Sequence, residues 1–114
     1  MKLFNRVNGV RGESIATKYL KDKKYKILEC NYKNSIGEID IIAKDRDYLV
    51  FVEVKARSTS AFGRPSEALD WRKQNKLRMV ANVYLKEKHL FDTPCRFDVV
   101  EVLGGEINHI INAF

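Results

Sequence analysis

Two apolar runs with acids set inside them constrain this chain more than any other feature: Gly37-Glu38-Ile39-Asp40-Ile41-Ile42-Ala43 and Leu49-Val50-Phe51-Val52-Glu53-Val54-Lys55-Ala56-Arg57. Side chains along a strand alternate faces with a period of two. Ile39, Ile41 and Ala43 therefore group together, as do Val50, Val52 and Val54. Asp40 falls with Ile42, and Glu53 and Lys55 fall with Phe51. The connector Lys44-Asp45-Arg46-Asp47-Tyr48 is short and polar, so the two runs read as neighbouring strands of one hairpin. Matching the apolar faces places Ile41 opposite Val52 and Ala43 opposite Val50. A slip of one residue would turn every valine to the wrong side. The favoured register sets Asp40 opposite Glu53 and Glu38 opposite Lys55.

Two carboxylates facing each other across a ladder stand roughly 5 Å apart, and at an effective dielectric of ~20 they repel by about 3 kcal/mol. Total stability of a small domain is only ~5–15 kcal/mol. A cation bound between the acids, or a raised pKa on one of them, relieves the conflict. Hard oxygen ligands favour Mg²⁺ or Mn²⁺, with Asp40 and Glu53 as ligands and the Val54 carbonyl as a third oxygen. Lys55 beside them would orient a water or offset charge building on a phosphate. The competing reading is structural, with Lys55 neutralising Glu38 or Glu53 at a solvated sheet end.

The rest of the chain sets the frame. Its 114 residues, 45% hydrophobic, suit one domain over residues 1–114 with a single core. No stretch reaches the ~18–20 apolar residues of a membrane span, and no secretory signal is legible, so a cytoplasmic protein without a membrane partner is expected. Cys30 and Cys95 lie far apart in apolar runs and read as buried, reduced thiols. His89 and His109 lack zinc-ligand spacing. The net charge of +6 favours a polyanionic partner such as nucleic acid.

Apolar periodicity predicts a helix over about Gly12 to Lys24, with Ile15, Ala16, Tyr19 and Leu20 as its stripe, then a strand from Tyr25 to Tyr32. The hairpin strands follow over Gly37 to Ala43 and Leu49 to Arg57. Ser58 to Pro65 has loop chemistry. Ser66 caps a second helix from about Glu67 to Glu87, whose stripe is Leu69, Leu77, Val80, Ala81 and Tyr84. Two last strands, Arg96 to Leu103 and Ile107 to Ile111, meet at Gly104-Gly105. The order is αβββαββ, an α/β or α+β arrangement with helices covering one sheet.

Glu13 falls early in the first predicted helix, where it either leans into the cleft or complements the helix dipole. Glu38 shares the Asp40 face and either supports the site or pairs with Lys55. Arg57, Arg64, Arg72, Lys73 and Lys76 gather around the loop and the second helix, where they contact phosphates or form a solvated face. Lys73 is the most telling, because it precedes Leu77 by four residues and so continues the core-facing stripe. Gln74 is a candidate for a phosphate or water contact. Arg96 and Asp98, two apart on a strand, read as a local ion pair.

At these residues the chain resembles the PD-(D/E)XK nuclease superfamily, with Asp40 followed after twelve residues by Glu53-Val54-Lys55 and with Ile39 where the superfamily name has proline. A wider set of residues is similar to the YraN-like family of small bacterial proteins. It comprises Arg11-Gly12-Glu13, Gly37-Glu38-Ile39-Asp40, Phe51-Val52-Glu53-Val54-Lys55, Phe62-Gly63, Lys73-Gln74 and Arg96-Phe97-Asp98-Val99-Val100. Lys24 departs from that pattern, standing where the family often has glycine. The resemblance implies a restriction-endonuclease-like, tRNA-endonuclease-like fold with a mixed central sheet flanked by helices. It also implies that Glu13, Asp40, Glu53 and Lys55 match the acid and lysine positions of related Holliday-junction resolvases. The expected function is metal-dependent hydrolysis of phosphodiester bonds, on DNA ahead of RNA, and short chains of this fold can pair as homodimers. The alternative is a non-catalytic nucleic-acid-binding module that acts with a partner.

Overall fold

The hairpin register predicted from face matching is observed at Ile41–Val52 and Ala43–Val50, whereas the predicted Asp40–Glu53 and Glu38–Lys55 pairs lie beyond the end of the ladder. In the computed structural model, which describes residues 2–57 and 69–114 and, within them, the side chains of residues 12–56 and 69–114, β2 (Glu38–Asp45) pairs antiparallel with β3 (Tyr48–Arg57). Ile41 faces Val52 and Ala43 faces Val50. Upstream lie α1 (Lys2–Asp22) and β1 (Lys26–Lys33), and downstream α2 (Trp71–Glu87), β4 (Cys95–Leu103) and β5 (Glu106–Ile110). The described residues therefore follow the order αβββαββ in one mixed five-stranded sheet, β1-β2-β3-β4-β5, in which the β3–β4 pair is parallel and the others antiparallel. The parallel pair needs a crossover, which α2 supplies.

The sheet separates two cores. One, against α1, contains Ala16, Leu20, Ile41, Ala43, Val50, Val52, Val100 and Val102; the other, against α2, contains Ile42, Phe51, Leu77, Val80, Ala81, Tyr84 and Val99. With apolar side chains on both faces, β2 and β3 read as near-continuous hydrophobic runs, the signature of strands covered on both sides. No helix among the described residues is long and apolar enough to cross a membrane.

Several expectations are corrected. Ile39 does not share a core with Ile41; it packs on the α2 side with Tyr32 and Ile42. The cause lies next door on β1, where Asn31 adopts a left-handed φ of 55° between the pairs Cys30–Ile41 and Tyr32–Ile39. That kink lies across from Asp40 and turns the strands over. Cys30, beside the kink on an edge strand, is exposed rather than buried, and Cys95 is half-buried; both are free thiols. Ile15 is exposed. The second helix starts at Trp71, not Glu67, because Asp70 in an extended conformation accepts the Lys73 N–H at 3.0 Å and caps it. Ser66 lies outside the described residues. At the other end of α1, Lys24 has a φ of 73°, and the Tyr25 N–H bonds the Leu20 carbonyl at 3.0 Å while Lys24 N–H bonds Lys21 at 2.9 Å. This is the glycine-favouring Schellman turn, which accounts for the glycine expected there. Gly104 and Gly105, at φ 56° and 87°, form the β4–β5 turn as predicted.

Candidate active site

The β2–β3 ladder ends at Ile41–Val52, and the site begins where it ends. Instead of a backbone pairing, the Val54 N–H donates to Asp40 Oδ2 at 2.8 Å. The strand opening thus locks the Asp40 carboxylate against β3, close to Glu53. Burial, followed by the nearby Glu38, raises the Asp40 pKa despite the Val54 bond and the pull of Lys73 and Lys55. Glu53 is 8% exposed. Burial first and Asp40 second push its carboxyl up to about 7, against the opposing pull of Lys73 and Lys55. Those ammonium groups stand 3.8 Å and 3.6 Å from Glu53 Oε1. The clash of acids read from parity is therefore present, and two cations only partly offset it.

Glu13 joins from the opposite layer. α1 begins at Lys2, so Glu13 lies in its middle, and the alternative of complementing a helix N-terminus no longer applies. Gly12 explains how it arrives. A Cβ at Gly12 would stand 2.4 Å from the Ala56 Cβ, so only glycine lets α1 lie this close to β3. Asn31, with its amide nitrogen turned to the acid, donates to Glu13 Oε1 at 3.0 Å and Oε2 at 3.2 Å. Burial and then Asp40 raise the Glu13 pKa, while Asn31 opposes the shift. Asn31 is a site residue that sequence reasoning missed. Asparagine tolerates the left-handed region better than most residues, and a polar side chain in an otherwise strand-like run was the available signal.

Lys73, from the first turn of α2, reaches Glu53 as its place in the stripe suggested. Lys76 lies on the same helix against the β1–β2 turn. Gln74 donates through Nε2 to the Leu69 carbonyl at 3.1 Å, tying down the approach to α2. Arg72 places its guanidinium over the Trp71 ring, 5.5 Å from the centroid. Arg64 and the Arg57 side chain lie outside the described residues. Glu38 does not face Lys55. It pairs in register with Lys33, at 4.0 Å between charged groups, because the ladder to β3 stops before reaching it. Glu101 is a second omission: it is 1% exposed, sits beside Lys55 in the parallel ladder, and accepts from Asn108 Nδ2 at 2.7 Å. Nothing in a strand pattern announces a neighbour 46 residues away.

Among the described residues, no three Asp, Glu, His or Cys side chains form a ligand cluster by themselves. Asp40 and Glu53 are the two carboxylates that the strand opening brings together.

The model of an uncharacterised protein family, UPF0102, matches residues 12–102, a span from Gly12 at the α1–β3 contact to Val102 on β4. The chain belongs to this family. It is 51% identical over 112 residues to a UPF0102 protein of Clostridioides difficile (strain 630), covering 96% of this chain and 98% of that one. A UPF0102 protein of Alkaliphilus oremlandii (strain OhILAs) is 50% identical over 117 residues, covering 97% and 100%, and one of Caldanaerobacter subterraneus is 47% identical over 120 residues, covering 99% and 98%. The YraN-like resemblance is thereby shown. Family membership extends over essentially the whole UPF0102 chain and names no reaction.

Proposed function

We propose that this UPF0102 protein is a metal-dependent nuclease that hydrolyses phosphodiester bonds, with DNA ahead of RNA as substrate, on a restriction-endonuclease-like fold. The observation that carries the reading is the buried Asp40–Glu53 pair, whose pKa values are raised by burial and by neighbouring acids while Lys55 and Lys73 flank it. Maintaining two desolvated acids together is costly, and such costs concentrate at functional sites.

Asp40 Oδ2 is committed to Val54, which among the described residues leaves Oδ1 for a cation. In an extended strand the N–H and C=O of one residue point to the same side, so the Val54 carbonyl belongs to the same donor set. Two carboxylates, one carbonyl and several waters suit Mg²⁺ or Mn²⁺. When bound, such an ion would neutralise charge on a phosphodiester and lower the pKa of the attacking water. Lys55 would hold that water or the developing phosphate charge. Glu13, oriented by Asn31, adds a carboxylate from the opposite side. The arrangement αβββαββ, with the acids at the opening of the central hairpin, agrees with the fold proposed.

The test is a Mg²⁺- and Mn²⁺-dependent cleavage screen over branched DNA, single-stranded DNA and tRNA. Asp40→Asn and Lys55→Ala should reduce cleavage to background while leaving binding. Binding without cleavage of any substrate by the unaltered protein would sink the nuclease reading and leave a nucleic-acid-binding module.

A further inference from the structure

A groove of about 440 Å³ runs between the β1–β2 turn and α2, and Lys73 lines it while also reaching Glu53 at 3.8 Å. The groove therefore opens onto the acid site. Among the described residues its walls carry Lys33, Lys73 and Lys76 against a single carboxylate, Glu38.

Both walls are tied together. Asn34 Oδ1 accepts the Ile36 N–H at 2.9 Å and the Gly37 N–H at 3.4 Å, which fixes the turn. Its Nδ2 donates to the Val80 carbonyl of α2 at 3.3 Å and to the Tyr32 hydroxyl at 3.2 Å. Gly37 closes the floor: a Cβ there would stand 3.0 Å from Lys76 Cε and 3.3 Å from Val80 Cγ2. The lysines thus project from a preset frame. Lys33 is held to Glu38 at 4.0 Å, with side chains 75% and 58% exposed, a loose pair that a stronger anion can replace.

We infer that this groove is a phosphate track, in which Lys33 and Lys76 take backbone phosphates of a nucleic-acid strand and Lys73 joins the track to the site. The inference rests on the nucleic-acid reading above and adds its path. Phosphate contacts of this kind position a strand without reading its sequence, and each neutralised phosphate releases counterions, so its signature is the salt dependence of binding.

The experiment measures fluorescence anisotropy of a labelled oligonucleotide over a salt series, with the unaltered chain in EDTA and with Asp40→Asn in Mg²⁺. Lys33→Gln and Lys76→Gln keep most of each stem and remove the charge. Each should lower the slope of log K against log salt by about one, whereas Lys18→Gln on α1 should leave it unchanged. Glu38→Gln should tighten binding by freeing Lys33. If the oligonucleotide binds but the slopes of Lys33→Gln and Lys76→Gln match that of Lys18→Gln, the track is wrong and the nucleic-acid reading stands. Binding in neither condition overturns both. A polyglutamate that displaces the oligonucleotide and depends equally on Lys33 and Lys76 overturns the track in favour of an acidic peptide.

Discussion

Two buried carboxylates in this UPF0102 protein, Asp98 and Glu53, receive opposite treatment. Asp98 is fully buried and fully partnered. It accepts from Arg96 Nε at 3.0 Å, Arg96 Nη2 at 3.3 Å and the Asn112 N–H at 3.0 Å, and it pairs with His109 Nε2 at 2.7 Å. Arg96 extends the network to Asp45 at 3.0 Å and the Tyr25 hydroxyl at 2.6 Å, and His109 Nδ1 meets the Tyr19 hydroxyl at 3.1 Å. Burial works to raise the Asp98 pKa, but the bonds from His109, Arg96 and Asn112 outweigh it and the pKa falls. Glu53 has its lysines at 3.6 and 3.8 Å and another acid beside it, and its pKa rises to about 7. The bonds around Asp98 outweigh the effect of its burial, whereas the cations around Glu53 do not.

The largest effect should come from breaking the satisfied side. Asp98→Ala leaves Arg96 buried against one remaining acid, Asp45, and should cost about 3–5 kcal/mol in denaturant melts. A loss under 1 kcal/mol would erase the contrast.

Glu53→Gln should act in the other direction. A carboxyl with a raised folded pKa contributes stability that is complete below its unfolded pKa and is lost as pH rises through the folded one. The metal-free protein should therefore lose stability between about pH 4.5 and pH 7. The loss is on the order of 3 kcal/mol. In Glu53→Gln the part of that loss carried by Glu53 should vanish, leaving what the raised pKa values of Asp40 and Glu13 carry and making the variant the more stable protein at pH 8. Millimolar Mn²⁺ should restore the unaltered chain at pH 8 and have no such effect on the variant. Asp98, with its lowered pKa, contributes stability at neutral pH that disappears as pH falls through its folded pKa, so the two regions titrate in opposite senses.

Smaller changes sharpen the site side. Gly12→Ala should push α1 off β3 and cost about 1–3 kcal/mol, with cleavage falling further than stability because Glu13 moves. Asn31→Ala should lower cleavage or metal affinity by about 10- to 100-fold. Lys24→Gly touches neither region and should raise stability by up to about 1 kcal/mol. A fall on thermal or denaturant melting would refute the left-handed cap.

How much of this was legible beforehand differs by element. Register was legible because face parity is local: Ile41–Val52 and Ala43–Val50 follow from alternation within two short runs. The acids, the Lys73 stripe position and the Arg96–Asp98 pair came from the same kind of reasoning, as did the Gly104-Gly105 turn. The start of α2 was misplaced because Ser66 and Asp70 carry similar capping chemistry, and only the described fold shows Asp70 bound to Lys73.

Local alternation and side-chain chemistry by themselves determined the hairpin and its register at Ile41–Val52 and Ala43–Val50, and brought Asp40 and Glu53 to the same end of it. Tertiary structure decided what surrounds that pair. Asn31 kinks β1 and turns Ile39 to the other core, Gly12 admits Glu13, and Glu101 arrives beside Lys55 through a parallel pairing. Asn34 ties the Lys33 turn to α2. Each of these depends on residues far apart in the chain approaching within a few ångströms, and a periodicity of two or 3.6 carries no information about which distant backbone will be the neighbour.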